Sequence, residues 1–165
     1  MQLLCVLSLL VALVPGPQAT APKTPAAKPA AAPAAAAKGG ARTVELTGGD
    51  DMKYNTTTIT AKPGETLHIV LKSTGTIPKM AMAHNFVLLK AGVDAASVAT
   101  AGSAARDTNF VSPKSKAQII AASTLVGGGE SVTVEFTAPA AGKYQFICTF
   151  PAHFQAGMVG QLIVE

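Results

Sequence analysis

Short runs of β-branched and apolar residues recur between turns through most of the chain after residue 42. The clearest case is Ser131 to Phe136, in which every second residue is apolar, the pattern of a strand with one buried face. Six other runs rich in β-branched and apolar residues lie between turns that contain Gly or Pro: residues 56–60, 65–71, 84–89, 117–122, 143–148 and 158–164. Short strands at these intervals predict an all-β domain, an antiparallel β-sandwich.

Residues 93–106 interrupt this series of predicted strands. Six of these fourteen residues are Ala, a residue type that is depleted in strands and favours helices. The segment starts next to Asp94, and Asp is among the preferred residues at helix N-termini. We therefore predict a short helical flap inserted between two strands.

The run Lys143 to Cys148 places a thiol in the predicted core. Side chains alternate between the two faces of a strand, so Tyr144, Phe146 and Cys148 share one face. Because that face carries two aromatic rings, we expect it to be the buried one. Cys148 would then point inward at the end of the strand, where the loop 149–157 begins.

The first 42 residues have a different composition. An apolar run at residues 3–14, followed by Pro15-Gly16-Pro17, predicts a signal peptide over residues 1–20. Residues 21–42 consist mostly of Ala, Pro and Lys, which predicts a disordered linker before a domain of residues 43–165. We expect a periplasmic or otherwise exported protein without stable membrane insertion after cleavage; whether the N-terminal segment tethers it to a membrane stays open.

The charge of the chain is concentrated in this linker. The whole chain has a net charge of +4, but Lys23, Lys28, Lys38 and Arg42 all precede the predicted domain. The domain itself has nine basic and nine acidic residues and is formally neutral. A basic face that binds nucleic acid is therefore not expected.

The loop sequence "CTFPAHFQAGM" combines Cys148, His153 and Met158 within eleven residues, and Cys148 is the only cysteine of the domain. A catalytic Cys–His pair, a chance grouping around a buried cysteine, and a metal site are three interpretations. The metal site accounts best for all three residue types, because thiolate and imidazole bind copper or zinc and a thioether suits copper. A blue copper site needs a second His. His68 lies in the middle of a predicted strand, whereas His84 precedes a polar Asn85, so His84 is the better candidate.

Four stretches carry a resemblance to a known family: "GGDDMKYNTTTIT", "TIPKMAMAHNFVLL", "STLVGGGESVTVEF" and "KYQFICTFPAHFQAGMVGQLIVE". In the same order and at similar spacing, they resemble azurin and its relatives among the cupredoxins. The resemblance implies a Greek-key β-sandwich of about eight strands, with one type 1 copper ion at one end. It also implies the metal ligands, which are His84, Cys148, His153 and Met158.

The resemblance implies further roles around this site. Asn85 and Phe150 would support the ligands, and the backbone carbonyl of Ala83 would be a weak additional ligand. Three features differ from azurin. Four residues, not three, separate His153 from Met158, as in auracyanins and plastocyanins, and the domain has neither a disulfide nor a tryptophan; Phe86 stands where azurins often have tryptophan.

A copper site without an open position for substrate is suited to electron transfer rather than catalysis. We therefore predict an exported single-electron carrier and not an enzyme. Its partners would be redox proteins, such as cytochrome c-type donors and copper or haem acceptors, docking at an apolar patch of Met82, Ala152 and Phe154. Periplasmic copper storage or delivery, with Met80 and Met82 as extra thioethers, is the alternative.

Overall fold

The computed structural model describes residues 40–165, so the predicted signal peptide and residues 21–39 of the predicted linker lie outside the described residues. Within residues 40–165 one α-helix, α1 (Ala95–Ser103), and two 3₁₀ turns, Arg106–Thr108 and Pro113–Gln118, accompany eight strands. The strands are β1 Arg42–Gly48, β2 Thr58–Ala61, β3 Thr66–Ser73, β4 Val87–Leu89, β5 Ile119–Ala122, β6 Ser131–Thr137, β7 Gly142–Ile147 and β8 Val159–Val164. The predicted all-β fold with a helical insertion is confirmed.

The strands form two sheets, one in the order β1-β3-β6 and the other in the order β2-β8-β7-β4-β5. Four of the six strand pairs in the described part of the chain are antiparallel, as predicted for the sandwich, but β1 pairs with β3 and β2 pairs with β8 in parallel. The chain crosses to the second sheet at β2 and returns at β3, so β1 and β3 run in the same direction. An alternating pattern shows which face of a strand is buried but not the direction of its neighbour.

Strand β1 begins at Arg42, the last residue of the predicted linker. The Arg42 guanidinium donates to Glu65 Oε1 over 2.6 Å and also to the carbonyl oxygen of Thr60. These contacts join the start of β1 to both β2 and the turn before β3. From Arg42 the strand runs about 20 Å to Gly48, at the opposite end of the sandwich.

The core lies between the sheets and is filled by the inward-facing residues of each strand. In β3 these are Leu67, Ile69 and Leu71, which are fully buried. Tyr144 and Phe146 of β7 face them from the other sheet, as the sequence predicted. Each large apolar side chain that is removed from water contributes about 1.5–3 kcal/mol to folding.

Phe86 occupies the centre of an aromatic stack. Its ring lies 6.3 Å from that of Phe136 and 5.3 Å from that of Phe146, and both pairs are stacked. Phe86 is 1% exposed and comes two residues after His84. The stack therefore fixes the segment that leads into β4.

Helix α1 covers a second, smaller core on the outer side of the five-stranded sheet. Asp94 caps it by accepting a hydrogen bond from the Ala96 N–H, and Val98 and Ala99 pack towards Val87 and Leu89 of β4. This smaller core also includes Ile147, the residue before Cys148. The helix thus supports the end of the strand from which the Cys148 loop departs.

Gly160 of β8 provides a test of how tightly β7 and β8 pack. A Cβ at this position would lie 2.1 Å from Phe146 Cζ, which is closer than any real contact. We expect Gly160→Ala to lower the free energy of unfolding by about 1–3 kcal/mol, measured by urea denaturation of the metal-free protein. Gly142→Ala in β7 is the matched control, because its Cβ would meet Tyr144 at an ordinary 3.4 Å. Equal losses for the two variants would contradict this account.

Candidate metal centre

His84 is held by a short bridge between two loops at one end of the sandwich. Its N–H donates to the carbonyl of Val126 over 2.9 Å, and the Val126 N–H donates back over 2.8 Å. The predicted strand at residues 84–89 is therefore shorter than expected, with β4 starting at Val87. Both His84 and the preceding Ala83 are fully buried.

Cys148, His153 and Met158 lie in the connection between β7 and β8. Cys148 follows the last residue of β7, and its N–H donates to the Met158 carbonyl over 3.1 Å, which closes the base of the loop. Within the loop, the Met158 N–H donates to the His153 carbonyl over 2.9 Å. The four intervening residues thus form a compact turn.

The structure brings His84, Cys148 and His153 together. Their donor atoms all lie within 4.8 Å of one another, and Cys148 Sγ is 3.5 Å from His153 Nδ1. The centroids of the two imidazole rings are 5.0 Å apart. All three side chains are buried, with no more than 1% exposure.

The hydrogen-bond pattern fits a metal ion at this cluster. Both ring nitrogens of His84 are buried without a partner, and Ser73 Oγ is the only other such side-chain atom in the described part of the chain. Buried polar groups nearly always have a partner, and an absent ion is one of the accepted explanations for an exception. Two imidazoles and one thiol are a donor set that suits copper or zinc.

The side chain of Met158 lies beside the His84 ring. A Cβ added at Gly48 would come within 2.6 Å of Met158 Cε and 3.1 Å of His84 Cδ2, so both groups lie over this glycine. Met158 is fully buried. The end of β1 must therefore be glycine for the thioether and the imidazole to occupy these positions.

Asn85 links the two segments that carry the donors. Its Oδ1 accepts from the Thr149 N–H over 2.9 Å, and its Nδ2 donates to Thr149 Oγ1 over 2.9 Å and to the Asn109 carbonyl over 3.0 Å. The Asn85 carbonyl accepts from the Tyr54 hydroxyl over 2.6 Å. Since Asn85 follows His84 and Thr149 follows Cys148, these bonds fix the position of one segment relative to the other.

The environment of Cys148 favours a protonated thiol in the absence of metal. Burial raises the pKa of this thiol to about 11, although backbone N–H groups of Asn85 and Phe150 donate to the sulfur and act in the opposite direction. The same two donors would stabilise a thiolate once a cation takes the place of the proton. Phe150 also packs against His153, with 4.8 Å between ring centroids.

Both imidazoles are held in the neutral form that binds metals. Burial and, to a smaller degree, the nearby His84 lower the pKa of His153 to about 4. Burial also lowers the pKa of His84, against a smaller opposing effect of the Asp50 and Asp51 carboxylates. At neutral pH no proton competes for either ring.

Other candidate residues lie apart from the cluster or at its edge. His68 faces outward from β3 and is bonded to Glu135 over 2.7 Å, so it does not join the other two histidines. Ala152 is exposed next to His153, whereas Met82 and Phe154 are half-buried. Phe154 packs against the smaller core beneath α1. Met80 is 77% exposed, with its sulfur 3.8 Å from an Arg106 nitrogen.

The sequence interpretation missed three contributors: Thr149, Tyr54 and Lys53. The position of Thr149 next to Cys148 was the one sequence feature that could have indicated its role, but its hydrogen bonds to Asn85 were not predicted. Tyr54 and Lys53 lie far along the chain from the residues they contact, at separations of 31 and 103 residues. Contacts between residues so far apart along the chain leave no local sequence pattern.

Comparison with known proteins supports a copper site. A family model for copper binding proteins of the plastocyanin/azurin family matches residues 41–165. Auracyanin-A of Chloroflexus aurantiacus is 38% identical over 128 residues, which are 76% of each chain. Outer membrane protein H.8 of Neisseria meningitidis is 43% identical over 116 residues, which are 68% of this chain and 61% of that protein.

Solved structures lead to the same assignment. The structure of auracyanin A, described as a "blue" copper protein from Chloroflexus aurantiacus, superposes with a TM-score of 0.69 and 37% identity, covering 76% of this chain and all of that chain. Copper is the metal that this family binds, and the buried cluster of two His and one Cys is a typical type 1 arrangement. The chain belongs to the plastocyanin/azurin family of copper binding proteins.

Proposed function

We propose that the protein is an exported blue copper electron-transfer protein that carries single electrons between redox partner proteins. The observation that carries this proposal is the buried convergence of His84, Cys148 and His153 beside Met158, with both nitrogens of His84 left without a partner. The family supports it, since a relative of the same fold is described as a "blue" copper protein.

In this proposal His84, His153 and the Cys148 thiolate would hold the metal, and the Met158 thioether would be a further, weaker ligand. The carbonyl of Ala83 is the candidate for a further weak ligand. Copper bound here would supply a one-electron couple between Cu(II) and Cu(I). Asn85 and Phe150 would hold the thiolate through their N–H groups.

The residues around the donors act by excluding water and by resisting movement. His84, Cys148 and His153 are buried. The hydrogen bonds between Asn85 and Thr149 join the segments that carry His84 and Cys148, and the aromatic stack of Phe86 fixes the segment that carries His84. Ligands fixed in this way rearrange little when an electron arrives or leaves. A cluster that is closed to substrate supports electron transfer rather than an enzyme.

Copper uptake requires one proton to leave the site. The Cys148 thiol, with a pKa of about 11, must lose its proton, whereas the two imidazoles are already neutral at pH 7. Metal binding and protonation of the thiol are therefore competing events.

The proposed docking surface is the apolar edge of the metal end, formed by Met82, Ala152 and Phe154. Ala152 is its most exposed member, while Phe154 serves partly as packing against the smaller core. The domain is formally neutral, so contact there would depend on apolar surface more than on long-range charge. Cytochrome c-type donors and copper or haem acceptors are the partners that this chemistry fits.

The proposed location of the protein is outside the cytoplasm, with the N-terminal segment as a candidate membrane tether. One of the relatives is an outer membrane protein, and the chain preceding the domain has the composition of a signal peptide and linker. Among the described residues, no helix has the length and apolarity needed to cross a bilayer. Strand β1 starts at Arg42, about 20 Å along the strand from Gly48 at the metal end.

Storage or delivery of copper has less support. A delivery protein must release its ion to an acceptor, which favours accessible ligands, whereas these donors are buried. The exposed Met80 does not extend the cluster, since its sulfur lies next to the positively charged Arg106.

We expect the copper-loaded protein to be intensely blue from thiolate-to-copper charge transfer. Cys148→Ser should abolish this colour while the protein stays folded, because a hydroxyl does not supply the transition. The visible spectrum and the far-ultraviolet circular dichroism measure the two properties. His68→Gln is the control and should keep the colour, since His68 lies outside the cluster. A colourless copper-loaded wild type would refute the blue copper assignment.

Ala152→Asp tests the docking surface with little risk to the fold. Ala152 is exposed and has a φ of 70°, a conformation that Asp tolerates better than most residues. A carboxylate there should slow electron self-exchange about tenfold or more, because two copies would bring like charges together. Self-exchange is measured by NMR line broadening, and the visible spectrum should not change. Ala141→Asp, an exposed change before β7, is the control and should exchange at the wild-type rate.

The metal-free protein should lose stability as the pH falls from about 6.5 to about 4. The unfolded His153 has a pKa near 6.5 and the folded one a pKa of about 4, so the unfolded state binds more protons within this window. Lowering the pH through it should cost on the order of 2–3 kcal/mol in the free energy of unfolding.

Urea titrations at several pH values measure this loss. His153→Gln should flatten the dependence in that window. A stability that is constant between pH 6.5 and 4 would show that His153 is not held neutral by burial.

A further inference from the structure

The segment Gly48–Tyr54, between β1 and β2, contacts both parts of the chain that carry the candidate ligands. Gly48 lies beneath His84 and Met158, and the Tyr54 hydroxyl donates to the carbonyl of Asn85. An antiparallel β-bridge pairs Gly48 with Tyr54, the two ends of the segment. It is therefore a defined support for the metal end.

Lys53 extends this support to the loop between His153 and Met158. Its ammonium group donates to the carbonyl oxygen of Ala156, two residues before Met158. A Cβ at Gly157 would lie 2.6 Å from Lys53 Nζ, so the ammonium group also lies directly against the backbone of that residue. Gly157 has a φ of +93°, which favours glycine and leaves the space that the ammonium group uses.

Among the described residues, the Lys53 ammonium group contacts this loop and forms no ion pair with a carboxylate. The ion pairs formed within residues 40–165 involve Arg42, His68, Lys72 and Lys79, and Lys53 is in none of them. Its one hydrogen bond among the described residues is the one to Ala156. A single cation thus bridges the β1–β2 connection and the longer loop of this chain.

We propose that Lys53 is a positioning residue for the copper site: it clamps the His153–Met158 loop through the Ala156 carbonyl and so sets the position of Met158. This rests on the proposed function for its effect on copper. The clamp itself is a property of the metal-free fold. A positive charge near the metal also disfavours the more highly charged Cu(II) state, so Lys53 raises the reduction potential.

The test compares Lys53→Met, which removes the donor and the charge, with Lys53→Arg, which retains both. Lys143→Met is the matched control, because Lys143 lies near the far end of β7, about 17 Å along the strand from Cys148. Two sets of measurements are made on each full-length variant. The first is amide hydrogen exchange of Gly157 and Met158 in the metal-free protein, and the second is the reduction potential and the rate of copper release to a chelator.

In the metal-free protein, Lys53→Met should speed exchange of the Gly157 and Met158 amides about fivefold, since these N–H groups close the turn that Lys53 holds. In the copper-loaded protein, it should lower the reduction potential and speed copper release about tenfold. Lys53→Arg should match the wild type in both measurements.

Unchanged exchange in Lys53→Met, or an equal change in Lys143→Met, would overturn the clamp. An unchanged potential with faster exchange would overturn the link between the clamp and the metal. A wild-type protein that binds copper without blue colour would refute the proposed function, while the exchange data would still decide whether Lys53 holds the loop.

Discussion

The hydrogen bonds between Asn85 and Thr149 are the interaction on which the metal end depends. His84 and Cys148 lie in segments separated by more than sixty residues, and each precedes one member of this pair. The amide of Asn85 is satisfied on both of its polar atoms, so a buried polar side chain is stabilised where it would otherwise be costly. The two segments are thereby held at one separation before any metal binds.

Burial has two opposite effects at this site. It leaves the imidazole of His84 without a partner, which is unfavourable for the metal-free fold, and it keeps the Cys148 thiol protonated, which opposes metal binding. It also keeps both histidines neutral and protects the donors from water. The sandwich core, with Phe86, Phe136 and Phe146 stacked below the site, stabilises the fold enough to carry these unpaired groups.

The loop between His153 and Met158 depends on contacts with other parts of the fold. Gly157, the last of its four intervening residues, has a φ of 93°, and Ala152, which directly precedes His153, has a φ of 70°. Positive φ is unfavourable for Ala, so contacts outside the loop must maintain the conformation. Phe154 supplies one such contact, against the smaller core under α1, and Lys53 supplies another.

Much of the fold and most of the candidate metal ligands were predictable from local sequence. Short runs of β-type residues between turns located seven of the strands, and Asp94 marked the start of α1. The spacing of Cys148, His153 and Met158 indicated a copper-type donor set with His84 as its partner. Strand β1 was not predicted, because Arg42–Gly48 adjoins a low-complexity linker and its pattern is short. The burial of Tyr144, Phe146 and Cys148 followed from the two-residue period of a strand.

Tertiary structure alone decided the parallel pairing of β1 with β3, the packing of Phe154, and the contacts made by Tyr54 and Lys53. The physical reason is the same in each case. Side-chain periodicity specifies which face of an element is buried, whereas a hydrogen bond between residues 31, 64 or 103 positions apart depends on how the elements are placed in space. The sequence by itself determined which residues could bind the metal, and the packing of the two sheets determined that they meet.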